Sequence, residues 1–271
     1  MASSTTAAET SFHVRSVSLP SQVHPTTLWI VEELQKLKTF VESSVSTVPS
    51  MTREMISDRL RQLANMYDGI EDLLQLPSIQ QGLFYSDQRK WLEEDVEGLM
   101  RLLDLCGTMK DATTTLKEYV QDLRFALGRR GDNSTGQTVQ DYVRSRKEIQ
   151  KIIKKSYKDL KQMDGKYPDL SVVLNVLNEA REITRSLLCS ILSLMFLPKA
   201  KTSRWSFASK SMRVACKEDL CEIDADAEKI MMVQNQLKTI EIGFGGVENG
   251  LGYLFRRLIR NRVSLLNILS P

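Results

Sequence analysis

From Ile230 to Leu258 an apolar residue recurs at alternating steps of three and four: Ile230, Val233, Leu237, Ile240, Phe244, Val247, Leu251, Leu254 and Leu258. An α-helix completes a turn every 3.6 residues, so this alternation holds all of them on one face, whereas a strand would scatter them over two. The stretch is read as one long rod with a heptad seam that packs along other helices. Asn261 interrupts the run, and Leu265 and Ile268 fall back into phase. Periodicity fixes the face and not its neighbour. Whether the seam closes within one chain or between chains therefore stays open, and the oligomeric state with it.

The rest of the chain repeats the signal in shorter pieces. Ile30, Leu34, Leu37 and Val41 form one face after Pro25; Pro49 ends that segment, and Thr52 can cap the next. Ile56, Leu60, Leu63, Tyr67, Ile70 and Leu74 run to Pro77. Leu92, Val96, Leu99, Leu103 and Cys106 follow Ser86 and Asp87, residues suited to an N-cap. Leu116, Val120, Leu123 and Leu127 resume past Gly107 in a shifted register, which predicts a kink or a break there. Gly128 to Gln137 is the best internal loop. Val139, Val143, Ile149, Ile153, Tyr157 and Leu160 then lie on a strongly basic helix, closed by Gly165 and Pro168. The helix expected over Leu170 to Leu197 ends in LLCSILSLMFLP, apolar nearly all round, and is expected to be the most buried element.

With 13 Gly, 7 Pro and 7% aromatic residues in 271, a turn-rich sandwich or barrel is disfavoured. The expected fold is all-α: an elongated helical bundle over 25–271 with a long heptad-bearing C-terminal helix, a disordered tail over 1–24 and a basic loop at about 198–213. No block repeats at a fixed period, so a solenoid is not expected. Lys+Arg number 37 against 34 Asp+Glu, a net charge of +3, so nothing in bulk draws the chain to nucleic acid or membrane. Four cysteines without CxxC pairing suit a reducing, cytoplasmic interior, and MASSTTAAETS lacks the basic and apolar parts of a secretory signal.

No catalytic, metal or cofactor site is expected. GFGGVENGLG (Gly243 to Gly252) would need a glycine at Glu248 for a dinucleotide loop and a GK[ST] for a phosphate loop, and the apolar seam runs straight through it. Close helix packing, or a weakened turn, is the reading that keeps the seam intact. His13 and His24, the only histidines, lie in or at the end of the tail, where no scaffold holds a catalytic base or a zinc ligand. The acidic runs Glu93, Glu94, Asp95, Glu97 and Glu218 to Glu228 read as solvated helix faces.

Three basic or linear features remain. The apolar run Leu187 to Leu197 is eleven residues, too short to span a bilayer. Lys199, Lys201, Arg204, Trp205, Lys210, Arg213 and Lys217 follow it with no acid between Glu182 and Glu218. This patch reads as a solvated loop, with docking on anionic lipid as the alternative. Arg256, Arg257, Arg260 and Arg262 follow the last acid, Glu248, and are read as complementing the dipole of the terminal helix. In the tail, Arg15, Ser16, Ser18 and Pro20 of RSVSLP match the pattern of a phosphoserine captured by 14-3-3-type adaptors.

Three blocks carry a resemblance. FHVRSVSLPSQVHP (Phe12 to Pro25), WLEEDVEGLMRLLDLCGTMKD (Trp91 to Asp111) and YLFRRLIRNRVSLLNILSP (Tyr253 to Pro271) resemble the plant-specific, helical BYPASS-like family of unknown biochemical function. GFGGVENGLG departs from the more charged helix of that family. The resemblance implies a non-enzymatic regulator of root and shoot development that restrains a root-derived mobile signal and acts on protein partners through helix faces. It brings no catalytic or cofactor residue. A related plant family tied to exocytosis gives the alternative, a peripheral membrane or trafficking factor using the 199–217 patch.

Overall fold

The computed structural model describes residues 24–46, 53–84, 89–128, 134–161, 171–195 and 223–270. Among them are seven helices and no strand: α1 (Pro25–Ser46), α2 (Arg53–Leu74), α3 (Pro77–Phe84), α4 (Arg89–Gly128), α5 (Ser134–Lys161), α6 (Val172–Met195) and α7 (Ile223–Leu269). Each alternating run forms a helix because only that geometry buries its apolar face at once, and burial outweighs intrinsic propensity. α1 opens on Pro25, where a missing N–H costs nothing, and the His24 carbonyl accepts the Thr27 N–H at 2.8 Å. Pro77 does more than end α2. It is the first residue of α3, an eight-residue helix too short to show in the pattern, which buries only Leu83.

Gly107 does not break the chain: α4 runs forty residues without interruption. The shift of register disappears once Met109 and Thr113 are counted, because both are fully buried and continue the alternation from Cys106 to Leu116. Thr113 can occupy a core position since its hydroxyl donates to the Met109 carbonyl at 2.7 Å.

α7 packs chiefly along α4 and α2; α1 and α6 close the other side of these two helices, and α5 lies on α4. Its seam is buried from Val233 to Ile268, and only Ile230 is half-buried. Asn261 is not an interruption. It occupies a seam position three residues after Leu258 and four before Leu265, and is 1% exposed. Gly243 to Gly252 is helical throughout, and close packing explains it: a Cβ at Gly250 would stand 2.9 Å from the Leu60 Cβ. Toward the end of α6, Leu187, Leu188, Ile191 and Leu192 are fully enclosed and Cys189 and Ser190 half-buried, while the side chains of the rest of LLCSILSLMFLP lie outside the described residues.

Candidate functional site

α4 and α6 meet over a buried ion pair. Arg181 Nη1 lies 2.8 Å from Asp95 Oδ1, and both residues are 4% exposed. Arg181 Nη2 donates to Asn178 Oδ1 at 2.8 Å, and Nη1 reaches the Glu94 carbonyl at 3.4 Å. The slot for the guanidinium exists because position 98 is glycine: a Cβ there would fall 2.5 Å from Arg181 Cδ. One turn along α6, Thr184 donates its single proton to the Ala180 carbonyl at 2.6 Å, so Tyr67 must be the donor in its 2.9 Å bond to Thr184 Oγ1. Burial pushes the Tyr67 phenol far up and keeps it protonated. Burial also drives the Asp95 carboxyl up to about 7, against the pull of Arg181 and helped by Glu94. The arrangement can thus hold or release a proton at Asp95 near neutral pH, inside the α4–α6 contact.

A second polar contact joins α7 to α2. Asn261 Nδ2 donates to the carbonyls of Tyr67, at 2.8 Å, and Arg257, at 3.0 Å. Arg257 Nε sits 2.6 Å from Asp68, while Arg260 stands 3.8 Å from Glu71 and 4.0 Å from Asp68. These arginines were expected to serve the helix dipole, and that reading is corrected: the last turn of α7 holds no basic residue, and the dipole acts only within a terminal turn. They pair across to α2 instead. Between α4 and α7, Thr114 and Lys117 each donate to Glu248 at 2.9 Å; burial opposes ionisation there, but these bonds outweigh it and hold the carboxyl below its usual range. The Cys106 thiol, turned to the Leu251 carbonyl at 3.4 Å, is pushed by burial up to about 12 and is therefore a poor nucleophile.

On the outside of α7, Ile259, Val263 and Leu266 are 40%, 48% and 36% exposed and follow at steps of four and three. The stripe leads toward the end of α7, where a groove of about 290 Å³ lies between α3 and α7, lined by Gln80, Gln81, Phe84, Asn267, Ile268 and Ser270. Arg256, stacked over Tyr253 at 4.9 Å, and Arg260 flank the stripe with positive charge.

The predicted seam residues are thus structural, lining the α7 contacts rather than a ligand. Arg15, Ser16, Ser18 and Pro20, and the patch Lys199, Lys201, Arg204, Trp205, Lys210 and Arg213, lie outside the described residues. The Asp95–Arg181 pair was missed because Asp95 sits in an acidic run read as solvated. Its spacing gave the signal: three residues after Leu92 and four before Leu99, it belongs to the buried face. Among the described residues no helix is long and apolar enough to cross a membrane, and no group of three or more His, Cys, Asp or Glu could hold a metal ion.

Comparison with curated proteins and with solved structures gave no match. A family model described as Protein BPS1 matches residues 59–268, from the first turns of α2 to the last turn of α7. That match takes in the Asp95–Arg181 pair, the Asn261 contact and the whole seam, and the chain belongs to the Protein BPS1 family.

Proposed function

We propose that the chain is a non-enzymatic regulator of plant development that works as a protein-interaction module, with the α3–α7 surface receiving an acidic amphipathic helix of its partner. Membership of the BPS1 family supports the developmental role. The observation that carries the interaction role is the exposed stripe Ile259, Val263 and Leu266 leading toward the α3–α7 groove. Three apolar side chains on successive turns leading toward a groove match the anchors of a helix laid in a groove. Arg256 at the edge, which unlike Arg260 has no ion-pair partner among the described residues, selects a partner of negative charge. A second copy would bring the same arginine to the contact and be repelled.

The test compares affinity purification from plant tissue using the full chain and its Ile259→Glu/Val263→Glu variant, followed by calorimetric titration of each purified partner. The expected result is a partner that binds through an acidic amphipathic segment and weakens about a hundredfold with the variant, as the loss of central apolar anchors does. Equal binding by both forms overturns the assignment of the surface. Consumption of a compound from plant extract by the purified chain, abolished by Asp95→Asn, overturns the non-enzymatic reading.

A further inference from the structure

α5 obeys the same alternation as α7 with the chemistry reversed. Its inner face buries Tyr142, Ile149 and Ile153, and its main neighbours are α4 and α6. On the opposite face Arg144, Lys147, Lys151, Lys154 and Lys158 follow at steps of three and four, with Lys155 beside them, and all six are exposed. At 1.5 Å per residue the row from Arg144 to Lys158 is about 21 Å long and straight. Asp141, 3.8 Å from Arg144, and Glu148, 2.9 Å from Lys151, offset two of the charges. Lys147, Lys154, Lys155 and Lys158 have no ion-pair partner among the described side chains.

We propose that this outer face of α5 is an electrostatic contact for an anionic lipid surface. Five of the six cations are lysines, compact charges on flexible stems that suit a diffuse plane of head groups, where bidentate recognition of one phosphate or carboxylate would favour arginine. Among the described side chains the row holds no exposed aromatic ring on which a nucleic-acid base could stack. Nor does it hold an apolar cleft for the anchors of an acidic peptide; Ile152, 56% exposed at its edge, is a single shallow apolar contact. Because the apolar face of α5 is already packed on α4, the helix cannot sink into the bilayer. The contact is adsorption from outside, governed by charge and weakened by salt. It is independent of the α3–α7 partner surface and uses none of the residues from 199 to 217.

Sedimentation of the full chain with vesicles tests it, comparing pure phosphatidylcholine with phosphatidylcholine containing about 30% phosphatidylserine, at about 0.1 M and about 0.5 M salt. The expected result is binding to the anionic vesicles alone, lost at the higher salt. It should weaken more than tenfold in Lys147→Glu/Lys151→Glu/Lys154→Glu/Lys158→Glu and stay unchanged in Lys199→Glu/Lys201→Glu/Arg204→Glu. Circular dichroism establishes that each variant keeps its helix content, and the Lys→Gln set replaces any that does not. Absence of binding to anionic vesicles overturns the proposal. So does binding that survives the α5 reversal, or that is lost only with the 199–204 variant. Salt-sensitive binding of a duplex DNA with none to vesicles also overturns it and passes the row to nucleic acid.

Discussion

The α4–α6 and α2–α7 contacts both carry polar groups inside an apolar bundle, yet they are built on different terms. At α4–α6 the groups are charged: Asp95 and Arg181 face each other at 2.8 Å with almost no solvent. At α2–α7 the buried group is the neutral amide of Asn261, and the charges, Arg257, Arg260, Asp68 and Glu71, remain partly in water. A neutral donor gives up little hydration when buried, whereas a carboxylate and a guanidinium give up a great deal, which their mutual attraction only offsets. The first contact is therefore sensitive to losing either partner and to protons. The second sets register: the Asn261 Nδ2 reaches the Tyr67 carbonyl in one alignment of α7 on α2 only, while its buried Oδ1 has no hydrogen-bond partner among the described residues.

The sharpest way to break this contrast is to remove one member from each contact. Arg181→Met leaves Asp95 buried beside an apolar chain and is expected to cost about 3–5 kcal/mol at pH 8, measured by urea unfolding. Asn261→Leu is expected to change stability by only about 1 kcal/mol, because the Tyr67 carbonyl remains within the hydrogen-bond ladder of α2. Equal losses would show that charge is not what separates the two contacts.

Next comes the proton. The Asp95 carboxyl rises from its ordinary 3.8 to about 7 in the fold, so between these values the native chain holds more protons than the unfolded one. Its contribution to stability then falls as pH rises from about 4 to about 7 and is level above that. Asp95→Asn removes this slope, and thermal melts of both forms across the range measure it. Parallel curves would place the Asp95 titration outside that window.

A further test concerns the slot. Gly98→Ala forces a Cβ against Arg181 and is expected to cost about 1–3 kcal/mol, while Gly245→Ala, with nothing within 4 Å, is expected to stabilise α7 by up to about 1 kcal/mol. A neutral Gly98→Ala would mean that the α4–α6 contact can spread without loss.

Much of this was legible in the sequence, residue by residue. The seam from Val233 to Leu258 needed only spacing, and so did the faces of α1 and α2. Where spacing misled, the cause was a polar residue in a core position: Thr113 made α4 look broken at Gly107, and Asn261 looked like a gap in α7. Each has its donor paired by a local or cross-helix hydrogen bond, and a one-dimensional pattern does not contain that partner. The α3–α7 groove was out of reach for the same reason, since its walls come from residues nearly two hundred positions apart.

By itself, the order of apolar and polar residues determined that the chain is helical, and which side of most helices turns inward, because a 3.6-residue repeat leaves one efficient way to bury such a pattern. Only the tertiary structure decided which helix meets which, that Asp95 lies across from Arg181, and that Arg257 and Arg260 answer α2 instead of their own helix end. Those pairings follow from distances between segments remote in sequence, where burial and partner geometry set the energy of each polar group.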